Sequence, residues 1–233
     1  FTIIKLNEIN LFSATCGPGL IGGLLIGSTF TKSLSIGNSK PFVPINHLEA
    51  HILSSFYNNE IKFPHLSLLI TGGHTQIYFL KNYNDIELIG ETIDDAIGEA
   101  FDKCGKKIGL DYPSGPIIDK LSTDGDSKRF KFPIPKVKDY NVSYSGCKTS
   151  FINFIEKEKS NNAEFIKNNL NDLCSSIQST LIKIITQKIE MAVNQTKIKT
   201  IAIGGGVSAN SEIRFYLNEK KKNNGWKVHI PSL

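Results

Sequence analysis

The residues best equipped for chemistry are His47 and His51, in the stretch Ile45-Asn-His-Leu-Glu-Ala-His51. At about 100° per residue, positions i and i+4 share one face of a helix one turn apart, so both imidazoles can reach a single ion. The chemistry implied is metal ligation. The alternative is a helix that carries two histidines by chance, since two ligands alone do not make a site. In a zincin the glutamate directly follows the first histidine and shares its metal-facing side. Glu49 comes two residues on, rotated about 200° from His47, so a metallopeptidase is disfavoured.

The pair needs a strand-to-helix junction to present it. Residues 41–45 read as a short buried strand, Asn46 as the N-cap, and Ile52, Leu53 and Phe56 as the apolar stripe of the following helix. Upstream, a strand over 11–15 runs into the turn Cys16-Gly-Pro-Gly19. Residues 20–35 then predict a helix apolar nearly all round and packed on both sides, with Gly22, Gly23 and Gly27 for close approach. This β-α-β-α run belongs to a layered α/β domain. From His65 the pattern changes to hairpins. Strands over 66–71 and 75–80 are joined by a tight two-residue turn at Gly72-Gly73-His74, with a third strand at 86–89 and a domain boundary between 58 and 64. The Gly72-Gly73 turn serves either the hairpin alone or a phosphate that approaches its amides.

Next comes a helix over 92–108, with Asp94 and Asp95 in its first turn, where acids suit the helix dipole, and Asp102 near its end. A turn at 110–116 leads to a short helix carrying Asp119. A long polar loop over 124–146 follows, then helices over 147–157 and 164–195. Strand 199–203 delivers Gly204-Gly-Gly-Val-Ser-Ala-Asn210 into a last helix. Strand, glycine turn and helix N-terminus together bind phosphate or adenosine, because small residues let a ligand touch unpaired amides. The stretch 204–210 itself is neither a GxGxxG fingerprint nor a GK[ST] loop.

Composition sets the remaining bounds. The 233 residues are 40% hydrophobic and 21% charged, ordinary for one large globular domain or parts of two. Four scattered cysteines without a CxxC pair predict a reducing, cytoplasmic setting. The longest apolar run, Leu20 to Ile26, is far too short for a bilayer span. A net charge of +5, with lysines gathered at 220–222 and around Lys136 and Lys138, is compatible with a polyanion such as RNA. The start at Phe1 and the stop just after a strand predict a piece of a longer protein.

Seven stretches in one order resemble the bacterial TsaD family, the tRNA threonylcarbamoyl-adenosine synthases once called glycoproteases. They are Gly17-Pro-Gly19 with its glycine-rich helix, His47-Leu-Glu-Ala-His51, Thr71-Gly-Gly-His-Thr-Gln76, Asp94-Asp-Ala-Ile-Gly-Glu-Ala-Phe-Asp102, Gly109-Leu-Asp-Tyr-Pro-Ser-Gly-Pro116, Ser145-Gly-Cys-Lys-Thr149 and Gly204-Gly-Gly-Val-Ser-Ala-Asn210. The resemblance implies an α/β fold of the actin-like ATPase, sugar-kinase-like (ribonuclease-H-like) class, two-lobed and here incomplete at both ends. Residues 1–60 would be part of the first lobe, and 61–233 the second lobe with a helical insertion at about 110–195.

It further implies transfer of a threonylcarbamoyl group from threonylcarbamoyl-AMP to the adenosine just 3′ of the anticodon in tRNAs that read codons beginning with A. Carried over by motif, His47 and His51 ligate one divalent metal, iron ahead of zinc. Leu69, Ile70, Thr71, Gly72, Gly73, Asp102, Gly115, Asp119 and Asn210 contact the adenylate or its threonylcarbamoyl arm, with Gly204, Gly205, Gly206 and Lys148 as secondary candidates and ATP or ADP as further ligands. No covalent nucleophile is expected. The implied partners are tRNA, an inactive TsaB-like paralogue, a TsaE-like ATPase subunit and a TsaC-like enzyme that supplies the adenylate, with no membrane. The family's third metal ligand and first phosphate loop have no counterpart in this chain, which predicts weak metal binding and little activity for these residues alone. The competing readings are a non-catalytic paralogue and another ATPase of the actin-like fold, because fold alone does not fix function.

Overall fold

The computed structural model describes residues 5–56 and 60–231. The chain divides into two units, Phe1–Ser54 and Ser55–Leu233. The domain boundary expected between 58 and 64 falls partly on residues 57–59, outside those described.

The first unit is a β-α-β-α run. Strands β1 (Phe12–Gly17) and β2 (Phe42–Asn46) pair in parallel, from Phe12 opposite Phe42 to Thr15 opposite Ile45. Helix α1 (Ile21–Gly37) makes the crossover and packs on both strands. The sequence predicts α1 to be covered on both sides, and within this unit it is not. Two strands can cover only one side, so Leu20, Ile21, Ile26, Phe30 and Ile36 stand in solvent, and an added Cβ at Gly22, Gly23 or Gly27 would meet nothing within 4 Å. Helix α2 (His47–Leu53) begins where expected. Asn46 is its N-cap, its side-chain oxygen accepting from the amides of Leu48 at 2.8 Å and Glu49 at 3.2 Å.

The second unit is built on a five-stranded mixed sheet in the order β5-β4-β3-β6-β7. Strands β3 (His65–Ile70), β4 (Thr75–Asn82) and β5 (Asp85–Glu91) form the antiparallel meander. Strands β6 (Thr200–Gly204) and β7 (Lys227–His229) join β3 in parallel. All six residues of β3 are buried, the polar His65 and Ser67 included, and Leu68 to Ile70 supply its continuous apolar run. The β3–β4 turn is longer than the predicted two-residue turn. Ile70 pairs with Thr75, leaving four residues, and Thr71 closes them with its hydroxyl accepting from the amides of Gly73 and His74.

Between β5 and β6 lie helices α3 (Ile97–Lys107), α4 (Ser114–Ser122), α5 (Ser145–Asn161), α6 (Phe165–Asn168) and α7 (Leu170–Thr196). Helix α8 (Ser211–Asn224) precedes β7. The predicted single helix over 164–195 is broken at Asn169, whose side-chain amide donates to the Phe165 carbonyl. One continuous core joins the sheet to the helices, with Ile70, Ile97, Phe101, Tyr144, Phe151 and Leu173 among its fully enclosed side chains. Packed against Phe56 and Phe63, the buried imidazole of His65 is pulled down to about 4 chiefly by burial, aided by the charge of His229. His65 is therefore a neutral core residue at pH 7.

Candidate functional site

Parallel pairing of β3 with β6 sets Leu69 opposite Gly204, so the turns that follow both strands leave the sheet at the same edge. The carboxyl ends of parallel strands are where open α/β sheets form ligand crevices. A cavity of about 410 Å³ opens there. Gly72, Gly115 and Gly206 line it with bare backbone, Asp102, Asp119 and Asn210 bring polar groups, and Phe101, Pro113, Pro116 and Val207 give it apolar walls. Six of the residues proposed from sequence thus meet in one place: Gly72, Asp102, Gly115, Asp119, Gly206 and Asn210. Tyr112 and Val207, which no spacing rule singled out, also line it.

The other candidates sit elsewhere. Leu69 and Ile70 are fully enclosed in β3, Thr71 holds the hairpin turn, and Gly73 does not line the cavity. Gly204 ends β6. Gly205 has φ +90° and ψ 164°, and a Cβ on it would lie 2.3 Å from the Ile70 carbonyl oxygen, so it serves strand packing. Lys148 is paired with Asp95 at 2.5 Å.

Carboxylates position this site by capping helices remote in sequence. Asp102, in the middle of α3, accepts from the amide of Ser114 at 2.7 Å and so caps α4. That hydrogen bond engages Oδ1 and leaves Oδ2 for a ligand hydroxyl. Asp119 has both oxygens engaged: the Ser211 amide donates to them at 3.2 and 3.0 Å, the Ser211 hydroxyl at 2.7 Å and Gln178 Nε2 at 3.1 Å. Asp119 thereby fixes the N-terminus of α8. Asn210 caps the same helix, accepting from Glu212 and Ile213, while its amide donates to Gln178 Oε1 at 2.8 Å. Gln178, buried in α7, joins Asp119 to Asn210, and nothing in its local sequence marks that role. Burial raises the neighbouring Glu212 carboxyl, a hydrogen bond from Ser179 opposes this, and the Asp119 charge adds to it.

Asp94 and Asp95 lie before α3, not in its first turn as the sequence predicts. Asp94 accepts from the hydroxyls of Ser143 and Ser145 at 2.5 and 2.6 Å and from the amides of Tyr144 and Ser145 at 2.8 and 3.3 Å, capping α5 from 49 to 51 residues away. Burial alone would raise this carboxyl, but the hydrogen bonds from Ser143, Ser145 and Tyr144 outweigh it and hold it below the ordinary 3.8. A group depressed on folding stabilises above its unfolded pKa and loses that contribution as pH falls through the folded value. Asp94→Ala is expected to cost about 1–2 kcal/mol at pH 7, the scale of a lost helix cap, and less below about pH 4, where wild type weakens too. Urea denaturation at pH 7 and pH 3 checks this. An equal cost at both pH values would contradict it.

His47 and His51 are half-buried on α2, their ring centroids 4.5 Å apart in an edge-on arrangement. Two imidazoles one turn apart fit two positions of a metal. Among the described residues, no group of three His, Cys, Asp or Glu side chains could hold one. Among the described residues, too, no helix is long and apolar enough to cross a membrane.

A mixed sheet with a glycine-lined cavity at the ends of its parallel strands defines an α/β protein with a crevice of the size of a small-ligand site. The chain superposes on HypF from T. kodakarensis with TM-score 0.68 at 12% identity, over 97% of this chain and 38% of that one. Full-length HypF in a phosphate- and nucleotide-bound form gives TM-score 0.66 at 13% identity, over 96% of this chain and 44% of that one. At such identities the likeness concerns the fold, which is of the actin-like, ribonuclease-H-like class. The model of the family described as "TsaD: tRNA N6-adenosine threonylcarbamoyltransferase" matches residues 2–233, and the chain belongs to that family. It is 49% identical over 232 residues to the tRNA N6-adenosine threonylcarbamoyltransferases of Riemerella anatipestifer and Christiangramia forsetii, spanning 98% of this chain and 68% of each relative.

Proposed function

We propose that the protein transfers the threonylcarbamoyl group of threonylcarbamoyl-AMP to the N6 amine of the adenosine 3′ of the anticodon, in tRNAs that read codons beginning with A. The observation that carries this reading is the meeting of Gly72, Asp102, Gly115, Gly206 and Asn210 around one cavity in a chain of this family. The apolar walls suit adenine, the open oxygen of Asp102 suits a ribose hydroxyl, and the bare backbone of Gly72 and Gly206 lets the phosphate approach closely. In the transfer, N6 attacks the carbamoyl carbonyl. A C–N bond forms, the C–O bond to phosphate breaks, AMP leaves with that electron pair, and one proton passes from N6 to water. What the chain contributes is orientation and backbone donors near the leaving phosphate, with no covalent nucleophile.

His47 and His51 are two ligands of a divalent ion, iron ahead of zinc, and the 4.5 Å approach of their rings on one turn of α2 supports this. Such an ion, when bound, supplies Lewis acidity and neutralises negative charge. Full-length protein with both His47→Ala and His51→Ala should lose its stoichiometric metal by atomic emission. Undiminished metal would remove the assignment. A TsaB-like partner subunit is supported by the exposed apolar residues of α1, and the TsaE-like and TsaC-like proteins complete the proposed set. The reaction is tested by incubating full-length protein, metal and partners with threonylcarbamoyl-AMP and cognate tRNA, then digesting the RNA for nucleoside mass spectrometry. N6-threonylcarbamoyladenosine is the expected product. Adenylate consumed with every nucleoside unchanged would refute transfer.

A further inference from the structure

One residue at the cavity has no use in the account so far. Tyr112 lines the opening, yet its side chain is 84% exposed. The second unit exposes other large apolar side chains, Tyr83, Leu88, Ile93 and Phe215, but of these five only Tyr112 lines the cavity. An exposed tyrosine on a loop is ordinary. A loop this firmly tied is less so. On one side the amides of Gly109 and Leu110 donate to the carbonyls of Lys106 and Gly105. On the other, the Ser114 amide donates to Asp102 and its hydroxyl to the Asp111 carbonyl at 2.9 Å. The backbone of Tyr112 is thus fixed to α3 and α4, and its ring is presented to solvent by a rigid strap.

The cavity has room for one nucleotide and not two. At about 410 Å³ it lies near the lower end of the roughly 300–1,000 Å³ typical of sites for one small ligand. The proposed reaction brings together two adenosines, one in the donor and one in the RNA. With the donor against Phe101, Pro113, Pro116 and Val207, the acceptor base has to be received at the rim. A base approached by an enzyme is taken out of its stack and needs a new surface to replace its neighbours. An aromatic ring with its faces in water and its backbone held meets that need at little cost in order.

We propose that Tyr112 is the stacking platform for the acceptor adenine of the tRNA. This specificity residue is distinct from those that hold the donor, and the inference rests on the function proposed above. The test uses full-length protein with its metal and partners, comparing wild type with Tyr112→Ala and Tyr112→Phe. Three readouts are taken: AMP affinity by calorimetry, kcat/KM with tRNA varied, and fluorescence of an anticodon stem-loop carrying 2-aminopurine at the acceptor position. Tyr112→Ala is expected to lower kcat/KM for tRNA about tenfold or more and to weaken quenching of the 2-aminopurine. AMP affinity should stay within about twofold, and Tyr112→Phe should retain both stacking signals, because the ring and not the hydroxyl does the stacking. Unchanged kcat/KM and quenching in Tyr112→Ala would overturn the inference while leaving the transferase reading intact. A loss of AMP affinity equal to the loss in kcat/KM would overturn it too, by assigning the ring to the donor. If wild type itself modifies no tRNA, the function and this inference fall together.

Discussion

Gly206→Val is expected to weaken binding of AMP to the full-length protein by about 10- to 100-fold, equivalent to roughly 1.4–2.8 kcal/mol, without unfolding it. Gly206 lines the cavity, and a Cβ placed on it would meet no atom within 4 Å. Its φ does not fall in the region that L side chains rarely adopt, so the backbone tolerates a side chain. The branched carbons of valine would then occupy the space assigned to the nucleotide. Calorimetry gives the affinity and thermal melting the control. Wild-type affinity in a folded Gly206→Val protein would remove the nucleotide from this cavity.

One residue earlier the expected outcome reverses. Gly205→Ala should destabilise the second unit by about 3–5 kcal/mol, a large share of the roughly 5–15 kcal/mol that holds a domain together. Two costs add here. At φ +90° and ψ 164° the backbone lies in a region that glycine alone occupies readily, and the new methyl would sit 2.3 Å from the Ile70 carbonyl oxygen and 2.7 Å from Thr71 Cγ2. The Ile70 carbonyl is strand backbone and cannot yield as a side-chain tip would. Urea denaturation measures the loss, and a change under about 1 kcal/mol would show that the turn after β6 relaxes. Adjacent glycines in one motif thus differ, Gly205 letting β6 turn beside β3 and Gly206 lining the cavity.

What was legible in the sequence was what the chain settles locally. Asn46 caps α2 through amides two and three residues on, as its type and position predict, and Asn210 caps α8 in the same way. The β3–β4–β5 meander follows from apolar runs punctuated by turn residues, and β3, rich in leucine and isoleucine, is buried throughout. Its place in the sequence assigns Asp94 to the first turn of the helix that follows, whereas it caps α5 some fifty residues on, and α3 starts only at Ile97. Asp102 caps α4 and Asp119 holds α8 by the same logic of a carboxylate at a helix N-terminus, but each acts across the fold, where no spacing rule reaches. Gln178 escaped notice because an amide inside an amphipathic helix looks like a solvated residue until Asn210 and Asp119 are brought to it. The exposed residues of α1 escaped for the converse reason: an all-apolar pattern predicts burial without naming what covers it.

The cavity as an adenylate site is the claim on which the rest depends, and crystals of the full-length protein grown with AMP test it most directly. Difference density is predicted in the cavity, with the adenine against Val207, a ribose hydroxyl within hydrogen-bond reach of Asp102, and the phosphate beside Gly206. Ordered nucleotide bound elsewhere, with this cavity holding only solvent at saturating AMP, would contradict the account.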